Sequence, residues 1–98
     1  MEFTTDMMIE SENGAKQSAS LARMDLLPPS AIFTVGTILQ QGAMKYGEEN
    51  WRLIPTREHL NHAIIHVFAY LAGDKAEHHL GNAACRILMA LEKSVEAK

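Results

Sequence analysis

A chain of 98 residues, 47% apolar and 21% charged, is a single globular domain with a thin stability margin rather than a disordered segment. Its net charge of −3 argues against broad, salt-driven contact with nucleic acid, which needs clustered Lys and Arg. One cysteine, Cys85, excludes an internal disulfide, and the lack of a signal-peptide pattern or a bilayer-length apolar run predicts a cytoplasmic protein that meets no membrane.

Residues 1–20 are polar and show no sustained apolar period, so they are expected to form an N-terminal arm that is flexible or docks on a partner, and no strand is evident there or elsewhere. Residues 21–98 then make one helical domain. Proline is favoured at a first helical position because its missing N–H would be unpaired there anyway, so a first helix is predicted from about Pro29 to Tyr46. Ile32, Val35, Leu39, Ala43 and Tyr46 recur at helical spacing. Gly36 and Gly42 are expected to permit close helix approach, and Gly47 supplies the stop.

A loop from Glu48 to Pro55 follows, then Thr56 as the expected N-cap of a second helix over Arg57 to Ala72, ended by Gly73. The short turn Asp74 to Glu77 makes a third helix, about His78 to Val95, antiparallel to the second. Projected at 100° per residue, Leu60, Ala63, Ile64, Val67, Phe68 and Leu71 share one face. Leu80, Ala83, Ala84, Ile87, Leu88 and Leu91 repeat it twenty residues later, which predicts a common core between the two helices. Ile65, Ala69, Cys85 and Met89 carry apolar surface beyond that core. The predicted fold is therefore all-α: a small three-helix domain with an N-terminal arm, assembling as a helical homo-oligomer.

All five histidines fall between His59 and His79. His59, His62, His66 and Tyr70 line one edge of the second helix, and His79, Asn82 and Arg86 repeat the geometry on the third. Imidazoles bond anions, bases or ribose, or ligate a transition metal, whereas a single helix histidine more often satisfies one neighbour within a packed interface. Arg86 presents a planar fork suited to phosphate, or else a surface salt bridge. Lys45, Tyr46, Asn50, Trp51 and Arg52 offer cations, aromatic faces and an amide for phosphate contact and base stacking, although Trp51 also suits a plain anchor for the loop. No carboxylate or thiolate signature accompanies the histidines, so no metal is favoured. Cys85 is expected to pack.

The stretches GAKQS, ARMDLLPPSAI, GAMKYGEENWRLIP, HLNHAIIHVFAYLAGD and HLGNAACRILMALE together resemble the phage dATP/dGTP diphosphohydrolase N-terminal domain family, all-α proteins distantly similar to MazG-like nucleotide pyrophosphohydrolases. The resemblance implies purine nucleotide recognition and viral origin, hence a host-cell cytoplasm. Its matching positions are Lys16, Gln17, Lys45, Tyr46, Gly47, Asn50, Trp51, His62, His66, Asp74 and His79. The sequence departs from it in the short DKAEH turn and in Asn82, and the helix-borne carboxylates that MazG-like Mg²⁺ catalysis implies are not displayed.

Two functions stay open at this point. In the first, the chain captures and sequesters a purine nucleotide-derived immune signal, of cyclic nucleotide or ADP-ribose type, without a cofactor. Lys16, Lys45, Arg52 and Arg86 then neutralise phosphate, His59, His62, His66, His79 and Asn82 bond oxygens, and Tyr46, Trp51 or Tyr70 stacks on the base. In the alternative it is a Mg²⁺-dependent dATP/dGTP pyrophosphohydrolase, with Asp74 and Glu77 on the metal and Asp74, His66 and His79 as the catalytic set.

Overall fold

The computed structural model describes residues 2–97. Its elements in chain order are β1 (Thr4–Glu10), β2 (Lys16–Ser20), a 3₁₀ turn (Met24–Leu26), α1 (Pro29–Tyr46), α2 (Asn50–Leu53), α3 (Thr56–Leu71) and α4 (His79–Glu96). The fold is mostly helical with one small sheet, so the expectation of no strand is corrected.

β1 and β2 form an antiparallel hairpin in which Glu10 faces Lys16 and Met8 faces Ser18. Its turn closes because Gly14 takes φ +85°, a region open to glycine, while the Ser11 N–H donates to the Ala15 carbonyl at 2.8 Å.

α1 starts with Pro29 at its first turn and ends at Gly47, whose φ of 95° closes the helix as its N–H donates to the Ala43 carbonyl at 2.8 Å. The loop predicted after it is partly helical, since Asn50–Leu53 forms the single turn α2. Thr56 does not cap α3: Pro55 occupies that place and Thr56 is the first helical residue, with no side-chain cap bond. His78 caps α4, its Nδ1 accepting the Gly81 N–H at 3.0 Å.

The helices pack as a layer with α4 in the middle, touching α3 on one side and α1 on the other. The pairs His59 with Arg86 and His66 with His79 show α3 and α4 antiparallel, as the short turn requires. What lies between helices, however, is not the leucine stripe. The buried residues are Val35, Ala63, Gly81, Ala83, Cys85 and Ala90, with His59 and His79. Of the expected common face only Ala63 and Ala83 are among them; Val35, Gly81 and Cys85 pack α1 on α4, and the histidine-bearing edges form the α3–α4 seam. Leu60, Ile64, Val67, Phe68 and Leu71 on α3, and Leu80, Ile87, Leu88 and Leu91 on α4, are exposed. The expected common core is corrected: small residues and two imidazoles let the backbones approach, and the bulky apolar faces turn outward.

The close approach of α1 to α4 is made neither at Gly36 nor at Gly42, where an added Cβ meets nothing within 4 Å. It is made at Gly81, where a Cβ would stand 2.3 Å from Ile38 Cδ1. Beside it the buried Cys85 thiol reaches the Val35 carbonyl at 3.6 Å, the packing role expected of it. No helix among the described residues is long and apolar enough to cross a membrane.

Candidate functional site

Between the C-terminal half of α1, the α2 turn and the facing edges of α3 and α4 lies a cavity of about 800 Å³, within the range of ligand pockets. Of the residues expected at a site, Lys45, Tyr46, Asn50, Trp51, His59, His62, His66, Asn82 and Arg86 line it, together with Glu77. Ile38, Gln41, Glu48, His78 and Met89 also line it and were not anticipated. His78 was missed because nothing in its spacing distinguishes a cap from a turn residue. Met89 was expected as apolar surface beyond the core, and Ile38 lies off the predicted face of the first helix.

Several expected residues stand elsewhere. Lys16 is exposed on β2 and does not line the cavity, and Tyr70 is exposed near the end of α3. Arg52 faces away from it, stacked 4.3 Å over the Trp51 ring and paired with Glu49 and, at 2.7 Å, with Glu96. Those carboxylates already satisfy a guanidinium that was expected to meet phosphate. Lys45 lies 5.1 Å over the Tyr46 ring on the cavity rim.

One wall is built from His59, which is 0% exposed. Its Nε2 lies 2.8 Å from the Trp51 carbonyl, which can only accept, so Nε2 carries the proton and donates. Nδ1 is then a bare acceptor and takes a hydrogen bond from Arg86 Nη1 at 3.2 Å. Burial, aided by the nearby charges of Arg86 and Lys93, holds this imidazole below its ordinary range and keeps it neutral. His59 is thus a positioning residue that aims Arg86.

The opposite corner holds a chain of three groups. His79 Nε2 donates to Asp74 Oδ2 at 2.5 Å, and that bond holds the Asp74 carboxyl below the usual carboxylate range. With its proton on Nε2, His79 offers a bare Nδ1, which accepts from His66 Nδ1–H at 2.9 Å. The His66 ring, part of the cavity wall, is left with an unprotonated Nε2, and burial holds it below the ordinary imidazole range. Glu77 Oε1 stands 3.5 Å from His66 Nδ1 and 3.6 Å from His79 Nδ1. His79 itself lies behind the wall, 7% exposed, and Asp74 behind His79.

The cavity therefore offers the Arg86 cation at one end, beside His59 and the Trp51 turn, and an ordered imidazole pair at the other, with Tyr46 and Trp51 among its lining. That is the outline of a helical protein with an open pocket lined by cationic, imidazole and aromatic side chains. The chain belongs to the family of the dATP/dGTP diphosphohydrolase N-terminal domain, whose family model matches residues 11–98. No curated protein and no solved structure matches it.

The family makes Mg²⁺ a cofactor to test against the residues present. Mg²⁺ demands near-octahedral oxygen ligands, and the only carboxylates lining the cavity among the described residues are Glu48 and Glu77. Asp74, expected beside Glu77 on that ion, gives its Oδ2 to His79 instead. The donor set does not fit Mg²⁺.

Proposed function

We propose that the chain binds a purine nucleoside triphosphate, of the dATP or dGTP class its family is named for, and hydrolyses it to the monophosphate and pyrophosphate. The observation that carries this reading is the pairing across one cavity of Arg86, held by a buried neutral imidazole, with a second imidazole whose Nε2 is bare. Arg86 and Lys45 meet the phosphates, Tyr46 or Trp51 takes the base, and His62 and Asn82 bond sugar or phosphate oxygens. Water held at His66 gives its proton to Nε2 as its oxygen attacks phosphorus, and the pyrophosphate oxygen leaves. Asp74 and His79 fix the ring that receives the proton and stabilise the imidazolium that results.

The scarcity of carboxylates on the cavity wall favours a second reading, in which an intact nucleotide is held without turnover. Capture of a host immune signal, the narrower form of that reading, has no residue or family match behind it and gives way to the hydrolase.

Incubation with dATP and dGTP, with and without divalent cations, followed by heat release and chromatography, separates the readings. Monophosphate and pyrophosphate are expected. Intact nucleotide recovered from the protein supports the second reading, and recovery of neither nucleotide nor products overturns both.

A further inference from the structure

The corner at His66, Glu77 and His79 brings three potential metal-ligand atoms within 4.8 Å of one another. His66 Nδ1, His79 Nδ1 and Glu77 Oε1 form a triangle with edges of 2.9, 3.5 and 3.6 Å. The circle through three such points has a radius of about 1.9 Å, so an ion with bonds of about 2.1 Å to all three sits roughly 0.8 Å out of their plane. That leaves one side of the ion open. Two of the three ligands, His66 and Glu77, line the cavity.

Two imidazoles and one carboxylate on a single face form a ligand set for first-row transition ions, borderline in softness, rather than for Mg²⁺. The outer sphere is also in place. Asp74 accepts the His79 Nε2–H at 2.5 Å, the carboxylate-to-histidine bond that fixes a ligand ring's tautomer and leaves its other nitrogen free for a metal.

We propose that His66, His79 and Glu77 bind one divalent transition ion of the Zn²⁺, Fe²⁺ or Mn²⁺ kind, with Asp74 as the positioning residue of the site. The ion takes the place of the proton between the two Nδ1 atoms, which is released to solvent on binding. The ion site does not depend on nucleotide binding, so the two are tested apart.

The test is titration of the untagged, chelator-stripped chain with Co²⁺, followed by visible absorption, with Zn²⁺ competition and Mg²⁺ as the selectivity control. One equivalent of Co²⁺ with a d–d band, displaced by Zn²⁺ and untouched by excess Mg²⁺, is expected. Glu77→Gln should weaken affinity at least tenfold and Asp74→Asn by roughly 10- to 100-fold, with far-UV dichroism unchanged, while the exposed Glu58→Gln changes nothing. Weak binding without fixed stoichiometry, equal competition by Mg²⁺, or full affinity in both Glu77→Gln and Asp74→Asn overturns the site. None of these results touches nucleotide binding, which is measured separately by heat release and chromatography after incubation of the stripped chain with dATP and dGTP.

A different observation carries a second inference. A compact monomer of 10.9 kDa exposes about 5,600 Å², whereas this chain exposes 8022 Å². Its radius of gyration is 17.8 Å against about 12.6 Å for a compact chain of its length. Some of the excess belongs to the hairpin. The outward face of α3 and α4 is exposed as well, and there Leu60, Ile87 and Leu91 flank a shallow apolar groove about half a turn around each helix from the cavity edge.

We infer that a second copy of this chain covers that face. The surplus over a compact chain is roughly 2,400 Å², and even after the hairpin's share is removed it leaves room for the roughly 1,000 Å² or more that an obligate homodimer removes from each subunit. A face that is apolar and continuous on two antiparallel helices is self-complementary about a two-fold axis. Sedimentation should give a dimer or a higher even assembly at micromolar concentration, and Leu60→Lys with Leu91→Lys should reduce it to monomer or unfold it. A wild-type monomer overturns the inference, as does a folded double variant of unchanged mass.

Discussion

Arg86 donates to Nδ1 of the buried His59 ring at 3.2 Å, and the same ring donates to the Trp51 carbonyl at 2.8 Å, so one imidazole joins the cation of the cavity wall to the α2 turn. A guanidinium restrained in this way loses less freedom when it meets an anion.

Removing the cation tests that role. Arg86→Ala should weaken pyrophosphate binding at least tenfold and lower stability by about 1–3 kcal/mol, since His59 Nδ1 is left buried without a donor. His59→Ala should be the more damaging for folding, about 2–4 kcal/mol, because a fully buried ring is deleted with both its bonds. Calorimetry with pyrophosphate and urea denaturation of each variant give the two numbers, and unchanged affinity in Arg86→Ala would remove it from the site.

The buried ring also predicts a pH dependence. His59 is held below its ordinary value in the folded chain, chiefly by burial, so the unfolded chain binds the proton more readily. Its contribution to stability is therefore complete above about pH 6.5, the free imidazole value, and is lost as pH falls below it. The urea midpoint should drop between pH 8 and pH 5.5, and His59→Gln should show a smaller drop. Parallel curves for the two proteins would assign the effect to other groups.

Helix ends were legible in the sequence because Pro29, Gly47 and Gly73 act locally, through ring constraint and through φ values of 95° and 86° at the two glycines. The hairpin was missed: Asn13 and Gly14 form a strong turn signal, but the mixed polarity of the flanking residues gives no strand period, so an arm was expected where β1 and β2 pair. What projection at 100° per residue cannot supply is which face meets a neighbour within the chain. It grouped His59, His62 and His66 correctly, but the leucine stripe, with its greater apolar area, claimed the role of core. Lys16 and Arg52 were misplaced for a similar reason: charge type is written in the sequence, whereas Glu96, which joins the local partner Glu49 in satisfying Arg52, becomes its neighbour only through the fold.

That placement makes Arg52 a useful contrast with Arg86. Its guanidinium is stacked on Trp51 and paired with two carboxylates outside the cavity, so Arg52→Ala should leave pyrophosphate affinity within about twofold of the parent. The same calorimetric titration used for Arg86→Ala decides it. A loss as large as that of Arg86→Ala would mean that Arg52 turns inward when the anion binds.

Gly81 sets the spacing between α1 and α4, since a methyl group there would meet Ile38 Cδ1 at 2.3 Å and His78 Nδ1 at 2.9 Å. Both neighbours are side-chain atoms, and the Ile38 end can swing aside, so Gly81→Ala should cost about 1–3 kcal/mol rather than abolish folding. The cost has an identifiable origin. Shortening the opposing side chain in Gly81→Ala with Ile38→Val should recover part of it, even though Ile38→Val alone is destabilising by about 0.5–1.5 kcal/mol. A double-mutant cycle by urea denaturation measures this coupling. Strict additivity would place the strain at the His78 cap instead, where the methyl group disturbs the bond from the Gly81 N–H that starts α4.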